Sequence, residues 1–142
     1  MSEGTAQIRG YVGIPFVDGG RTIAGCDCWG LVRLVHEREA GIELPDYGEI
    51  GAFELAVVAR HMRYDADADP WVKVSNLPRR TFDVVVMRRF GDHGRAPIHV
   101  GIMVSDRHML HVENPADSHL VTLEHPTVKP RILEVYRHRR LA

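Results

Sequence analysis

The sequence predicts an α+β domain whose first half supplies helices and whose second half supplies an antiparallel sheet. Three observations lead there. Apolar residues recur at helical spacing between Cys28 and Val35, and short apolar or alternating runs follow one another from Val84 to Tyr136. The two kinds of segment are segregated along the chain, not interleaved, which excludes a parallel α/β arrangement. A length of 142 residues suits one domain spanning residues 1–142.

The elements can be justified in order. A short helix is expected from about Gly4 to Tyr11, and the loop Gly13-Ile14-Pro15-Phe16-Val17-Asp18-Gly19-Gly20 breaks it with glycine and proline. The best-marked helix starts at Cys28, because Cys28, Leu31, Val32 and Val35 fall at i, i+3, i+4 and i+7. Asp27 stands before it as an N-cap and Gly41 beyond it as a stop. A third helix is expected over Gly51 to Arg63, followed by an acidic turn from Asp65 to Pro70. Strands are expected at Val84–Met87, Ile98–Val104, Met109–Glu113, Leu120–Leu123 and Ile132–Tyr136.

Composition excludes several classes of function. Apolar residues make up 44% and charged residues 26%, the balance of an ordinary globular protein. A net charge of -1 gives no general attraction to nucleic acid or anionic lipid. The basic run Arg137-His138-Arg139-Arg140 reads as a solvated tail, with a docking patch for an acidic partner as the other reading. No stretch approaches the roughly 20 apolar residues of a membrane span, so no membrane insertion is expected. Residues 1–20 lack the layout of a signal peptide, and synthesis in a cytoplasm is the expectation.

The chemistry centres on Cys28. A thiol in the first turn of a helix faces unpaired backbone N–H groups and the positive end of the helix dipole, which favours the thiolate. The alternative is a small buried hydrophobe on the apolar face of its helix. A thiolate needs a proton shuttle, and histidine serves near neutral pH. Along Pro97-Ile98-His99-Val100-Gly101-Ile102-Met103-Val104, alternation sends Ile98, Val100, Ile102 and Val104 to one face and His99, Gly101 and Met103 to the other. His99 is thus either the floor of a cleft or a structural histidine. His111 lies on the next strand, and cross-strand pairing would let it accept a hydrogen bond from the far nitrogen of His99, the orienting role of a triad.

Taken together, Gly13-Ile14-Pro15-Phe16 with Gly19-Gly20, Asp27-Cys28-Trp29-Gly30-Leu31-Val32, Phe82-Asp83-Val84-Val85-Val86, His99-Val100-Gly101-Ile102 and Leu110-His111-Val112 resemble, in that order, the NlpC-type cell-wall cysteine peptidases. The resemblance implies a papain-like fold with N-terminal helices on a five- to six-stranded antiparallel sheet. It also implies Cys28 as nucleophile through a thioester, His99 as base and His111 as third polar residue. The oxyanion hole would include the backbone N–H of Cys28. The implied substrate is the stem peptide of peptidoglycan, commonly cut between D-γ-glutamyl and diaminopimelate residues, and no cofactor is required.

Trp29 directly after the cysteine resembles the branch of the family found in phage tail tips. This implies tail-tip proteins as partners and the virion tail as location. Asp27, Trp29 and Phe16 are the expected substrate contacts. Trp29 and Phe16 replace the serine and tyrosine frequent in the family, which removes two hydroxyl contacts and suits a more apolar cleft. The same features allow a structural tail-tip subunit with little activity, and the fold allows an amidase or acyltransferase.

Metal ligation is not expected. Cys26 has no second cysteine pair with which to complete a zinc site. Asp65, Asp67 and Asp69 lack the glycine and distal glutamate of a calcium loop. His36 and His61, among charged helix residues, read as exposed, His93, His108, His119 and His125 as solvated, and Trp71 as core.

Overall fold

A computed structural model describes residues 9–44, 71–88 and 98–142. A 3-10 turn at Arg9–Tyr11 leads into a loop and a two-stranded hairpin of β1 (Arg21–Thr22) and β2 (Gly25–Cys26). Helix α1 (Cys28–Ala40) follows, then β3 (Trp71–Lys73), β4 (Val84–Arg88), β5 (Ile98–Met103), β6 (His108–His111), β7 (His119–Thr122) and β8 (Ile132–His138). The six longer strands form one sheet in the order β3-β8-β4-β5-β6-β7, and every neighbouring pair is antiparallel.

Helix α1 forms where its local signals place it. The Asp27 carboxylate accepts the Gly30 N–H at 2.8 Å, satisfying a donor the first turn leaves unpaired. Gly41 ends the helix at φ 66°, a left-handed conformation that suits glycine, and its N–H donates to the His36 carbonyl. The five expected strands are present as β4 to β8, with ends shifted by a few residues. Strand β3 and the β1–β2 hairpin were not expected. Both are very short, and β3 depends on pairing with β8, far away in sequence. The helix expected from Gly4 to Tyr11 is described only over Arg9–Tyr11, where it is the 3-10 turn; the helix expected over 51–63 and the acidic turn lie outside the described residues, as do His61 and His93.

The sheet has two different faces. Val84, Val86, Val100, Ile102, Leu110 and Tyr136 pack with the buried side of α1 and with Trp71. Val85, Met87, Met103, Met109 and Val135 form a second cluster on the other face. This is the predicted alternation along β5, with Val100 and Ile102 in one cluster and Met103 in the other.

Two burial expectations are corrected. Arg137 is not part of a solvated tail. It lies buried in β8, where its guanidinium grips Asp83 with two bonds of 2.7 and 2.9 Å, and His138 beside it is buried too. His36 is 0% exposed, ringed by Trp71, Phe82 and His138, and its Nδ1 bonds the Val32 carbonyl at 2.8 Å. Among the described residues no helix is long and apolar enough to cross a membrane.

Candidate active site

The loop ahead of α1 is bound to distant backbone. The Ser118 hydroxyl accepts the Ile14 N–H at 2.8 Å and donates to the Tyr11 carbonyl at 2.5 Å. The Gly13 N–H and the Ile14 carbonyl bond the backbone of Ser118 as well. Close packing continues at the helix start, where a Cβ at Gly30 would run into the Gly20 carbonyl. Glycine there lets the loop lie directly on the first turn.

Cys28 occupies that first turn and is 4% exposed. Its thiol takes backbone hydrogen bonds from Val100 and from Trp29. The Val100 contact fixes the position of the thiol, because Val100 directly follows His99. The pairing of β5 with β6 covers Ile102↔Leu110 and Met103↔Met109, so the thiol meets β5 beyond the paired stretch.

Burial opposes the expected thiolate. Desolvation pushes the Cys28 thiol up to about 12, and the charges of Asp27 and Glu113 push the same way against the two N–H groups. The resting group is therefore a neutral thiol. Cys26 is likewise buried and pushed up to about 12, chiefly by desolvation.

His99 stands opposite Met87 in the register of β4 and β5 and is 2% exposed. Its Nε2 lies 2.8 Å from Nδ1 of His111, which is itself 4% exposed. Register explains the meeting. Extending the β5–β6 pairing sets His111 opposite Gly101, so His99 and His111 are diagonal neighbours on one face, within reach of long side chains. His111 in turn packs at a tilt against His119, its partner across β6 and β7, with ring centroids 4.6 Å apart. Desolvation lowers the pKa of His111 to about 4, helped electrostatically by the neighbouring His119 and Arg131. At neutral pH His111 is an uncharged ring that can accept a hydrogen bond.

The expected substrate contacts fare differently. Trp29 is fully buried and meets Trp71 edge-on at 6.4 Å, so its indole is core and offers no surface to a ligand. Asp27 is buried with its charge met internally. It caps α1, accepts the Gly19 N–H at 3.0 Å and pairs with Arg21 at 2.7 Å. Both residues hold up the site from beneath. Phe16 is partly buried, bridged to Cys26 and packed on the core edge.

One neighbour was missed by sequence reading. Glu113 brings a carboxylate oxygen to the histidine pair, and one donor atom from each of His99, His111 and Glu113 lies within 4.8 Å of the others. Glu113 also pairs with Arg131 at 2.5 Å. The sequence signal was Glu113 two residues after His111 in an extended run, which puts both on one face.

Comparison with known proteins identifies the family and the fold. The NlpC/P60 family pattern matches residues 13–137. None of the curated proteins matches the chain. An NLP/P60-family protein similar to a lipoprotein from Staphylococcus aureus has a similar fold (TM-score 0.60, 20% identity), covering 95% of this chain and 40% of its own. An NlpC/P60 family protein from Bacillus cereus gives 0.63 and 17% over 96% of this chain and 39% of its own. The NlpC/p60 domain of the peptidoglycan hydrolase SagA gives 0.57 and 18%, covering 96% of this chain and 97% of that domain. The chain thus spans about two fifths of the first two structures and nearly all of the third. With the pattern running from the loop before α1 to the end of β8, the chain belongs to the NlpC/P60 family.

Proposed function

We propose that this protein is a cysteine peptidase acting on the stem peptides of bacterial peptidoglycan, with Cys28 as nucleophile, His99 as base and His111 as positioning residue. The observation that carries the reading is the buried His99–His111 hydrogen bond beside the strand residue whose N–H touches the Cys28 thiol. Membership of the NlpC/P60 family and a fold shared with the SagA peptidoglycan hydrolase domain support the substrate class.

The mechanism follows from which nitrogens are engaged. His99 uses Nε2 toward His111, and Nδ1 is the nitrogen proposed to take the proton from the thiol. His111 accepts the Nε2–H and holds His99 in that tautomer. Because the resting thiol is neutral, proton transfer to His99 accompanies attack of sulfur on the peptide carbonyl. The carbon–nitrogen bond then breaks, the amine leaves with the proton from Nδ1, and water hydrolyses the thioester. The bond between D-γ-glutamyl and diaminopimelate residues is the proposed target, and the Asp27-Cys28-Trp29 variant supports action at a phage tail tip.

Digestion of purified peptidoglycan with mass analysis of the fragments tests this. The wild-type chain should release stem-peptide fragments and Cys28→Ala should release none. Equal release by both proteins would sink the reading, and products joined to a new acceptor would indicate an acyltransferase. A second reading, a docking subunit of the tail with little hydrolysis, is favoured by the shielded thiol. Virions carrying Cys28→Ala that infect as well as wild type would support it.

A further inference from the structure

We propose that the cavity between segment 77–79 and the end of β7 binds an acidic peptide, seating an apolar side chain on its floor and carboxylates on Arg79 and Arg107. The site stands apart from the catalytic corner and does not rest on the peptidase reading.

Strand pairing sets its position. Strands β6 and β7 pair His111 with His119 at one end and His108 with Thr122 at the other. His108 and Thr122 line the cavity, whereas Cys28, His99 and His111 do not. Three steps of extended chain separate His108 from His111, about 10 Å. The cavity measures about 750 Å³, a volume usual for a ligand site. Leu77, Leu123 and Ile132 supply apolar lining, and the last two rest on the sheet face turned away from α1. Leu77 keeps 52% of its surface open.

Charge decides the occupant. Arg79, Arg107 and Lys129 share the lining with Asp106 and Glu124. Glu124 is already met by Lys129 at 2.9 Å. Arg79 gives Nη1 to the Ser75 and Leu77 carbonyls, and its Nε is buried with no partner among the described residues. Arg107 is exposed, and the hydrogen bond it makes runs from its backbone N–H to the Ser105 hydroxyl. Among the described residues no carboxylate pairs with either guanidinium.

Two unmatched guanidinium forks beside an apolar floor suit a ligand whose anionic oxygens flank an apolar group. The carboxylates of Asp106 and Glu124 narrow that class. They repel a phosphate dianion about twice as strongly as a singly charged carboxylate. A peptide supplies the remaining combination. In an extended chain, acidic residues two places either side of a leucine project on the same face as that leucine.

The test uses the full chain and the fluorescence anisotropy of a labelled, end-blocked peptide, Glu-Ser-Leu-Ser-Glu flanked by glycines. Wild type and Cys28→Ala should bind it equally, and affinity should fall as salt is raised. Peptides with glutamine for both glutamates, or serine for the leucine, should bind roughly fivefold more weakly. Arg107→Gln and Leu77→Ser should show a similar loss, while Arg140→Gln, outside the cavity, should bind as wild type. The Arg107 side chain makes no bond among the described residues, so Arg107→Gln should melt with the wild type.

Wild-type affinity in Arg107→Gln, or equal binding of the glutamate and glutamine peptides, overturns the site. So does the absence of binding at about 1 mM protein, the weak end of measurable affinity. Loss of binding in Cys28→Ala would move the peptide to the catalytic corner. Displacement by inorganic phosphate at a concentration where acetate has no effect would overturn the choice of a carboxylate.

Discussion

His99 and His111, twelve residues apart, meet through Nε2 and Nδ1 at 2.8 Å within a buried corner of the sheet. An imidazole held at one nitrogen presents the other in a fixed direction and tautomer. Replacing His111 with alanine should lower kcat roughly 10²–10⁴-fold, the range of a mispositioned general base, with little change in KM. His111→Asn, whose side-chain oxygen can accept the same bond, should recover part of the loss. Equal kcat in the alanine variant and the wild type would remove His111 from the mechanism.

The neutral thiol makes a prediction of its own. Burial holds Cys28 up at about 12, so alkylation by iodoacetamide at pH 6 to 7 should be slow and should quicken as pH rises. Mass mapping of labelled Cys28 against Cys26 reads this directly. Rapid labelling of Cys28 at pH 6 would reveal a preformed thiolate–imidazolium pair instead.

Acid should weaken the fold through His36. Desolvation lowers its pKa from 6.5 to about 4, with the nearby His138 adding to the effect. Above pH 6.5 the ring is neutral in both states and no penalty arises. Between pH 6.5 and 4 the unfolded chain binds a proton that the folded chain refuses. Stability therefore falls as pH falls through that window, by up to about 3 kcal/mol from this group. Urea titrations at pH 7 and pH 4.5 should show the drop, and it should shrink in His36→Phe. An unchanged drop in that variant would move the effect elsewhere.

The buried pair of Asp83 and Arg137 predicts a large stability cost. Removing one partner leaves the other charge without a counterion in the interior. Arg137→Met should therefore cost about 3–5 kcal/mol in urea unfolding. A change below 1 kcal/mol would mean that the pair is well solvated.

Much of this arrangement was written locally. Asp27 and Gly41 mark the ends of α1 because caps are decided by a few adjacent residues. Alternation along β5 set His99 apart from Val100 and Ile102, and strand order set His111 beside it. What the sequence hid was non-local. Arg137 sits in a basic run that looks solvated, and its partner Asp83 is 54 residues away. His36 looks like one more polar helix residue until Trp71 and His138 close over it. The fate of Trp29 and the thiol's proton affinity depend on burial, which no spacing reports. Glu113 joins the histidines only through a register that the chain does not declare.

The Ser118 clasp carries a consequence for how the site comes into being. The loop that cradles the start of α1 is tied to backbone more than a hundred residues further on. Contacts so distant in the chain pay their loop-closure entropy before they are rewarded and tend to form late. A growing polypeptide that has produced Cys28 but not Ser118 lacks the brace around that thiol. The corner around Cys28 is thus closed only once the chain has been made through Ser118.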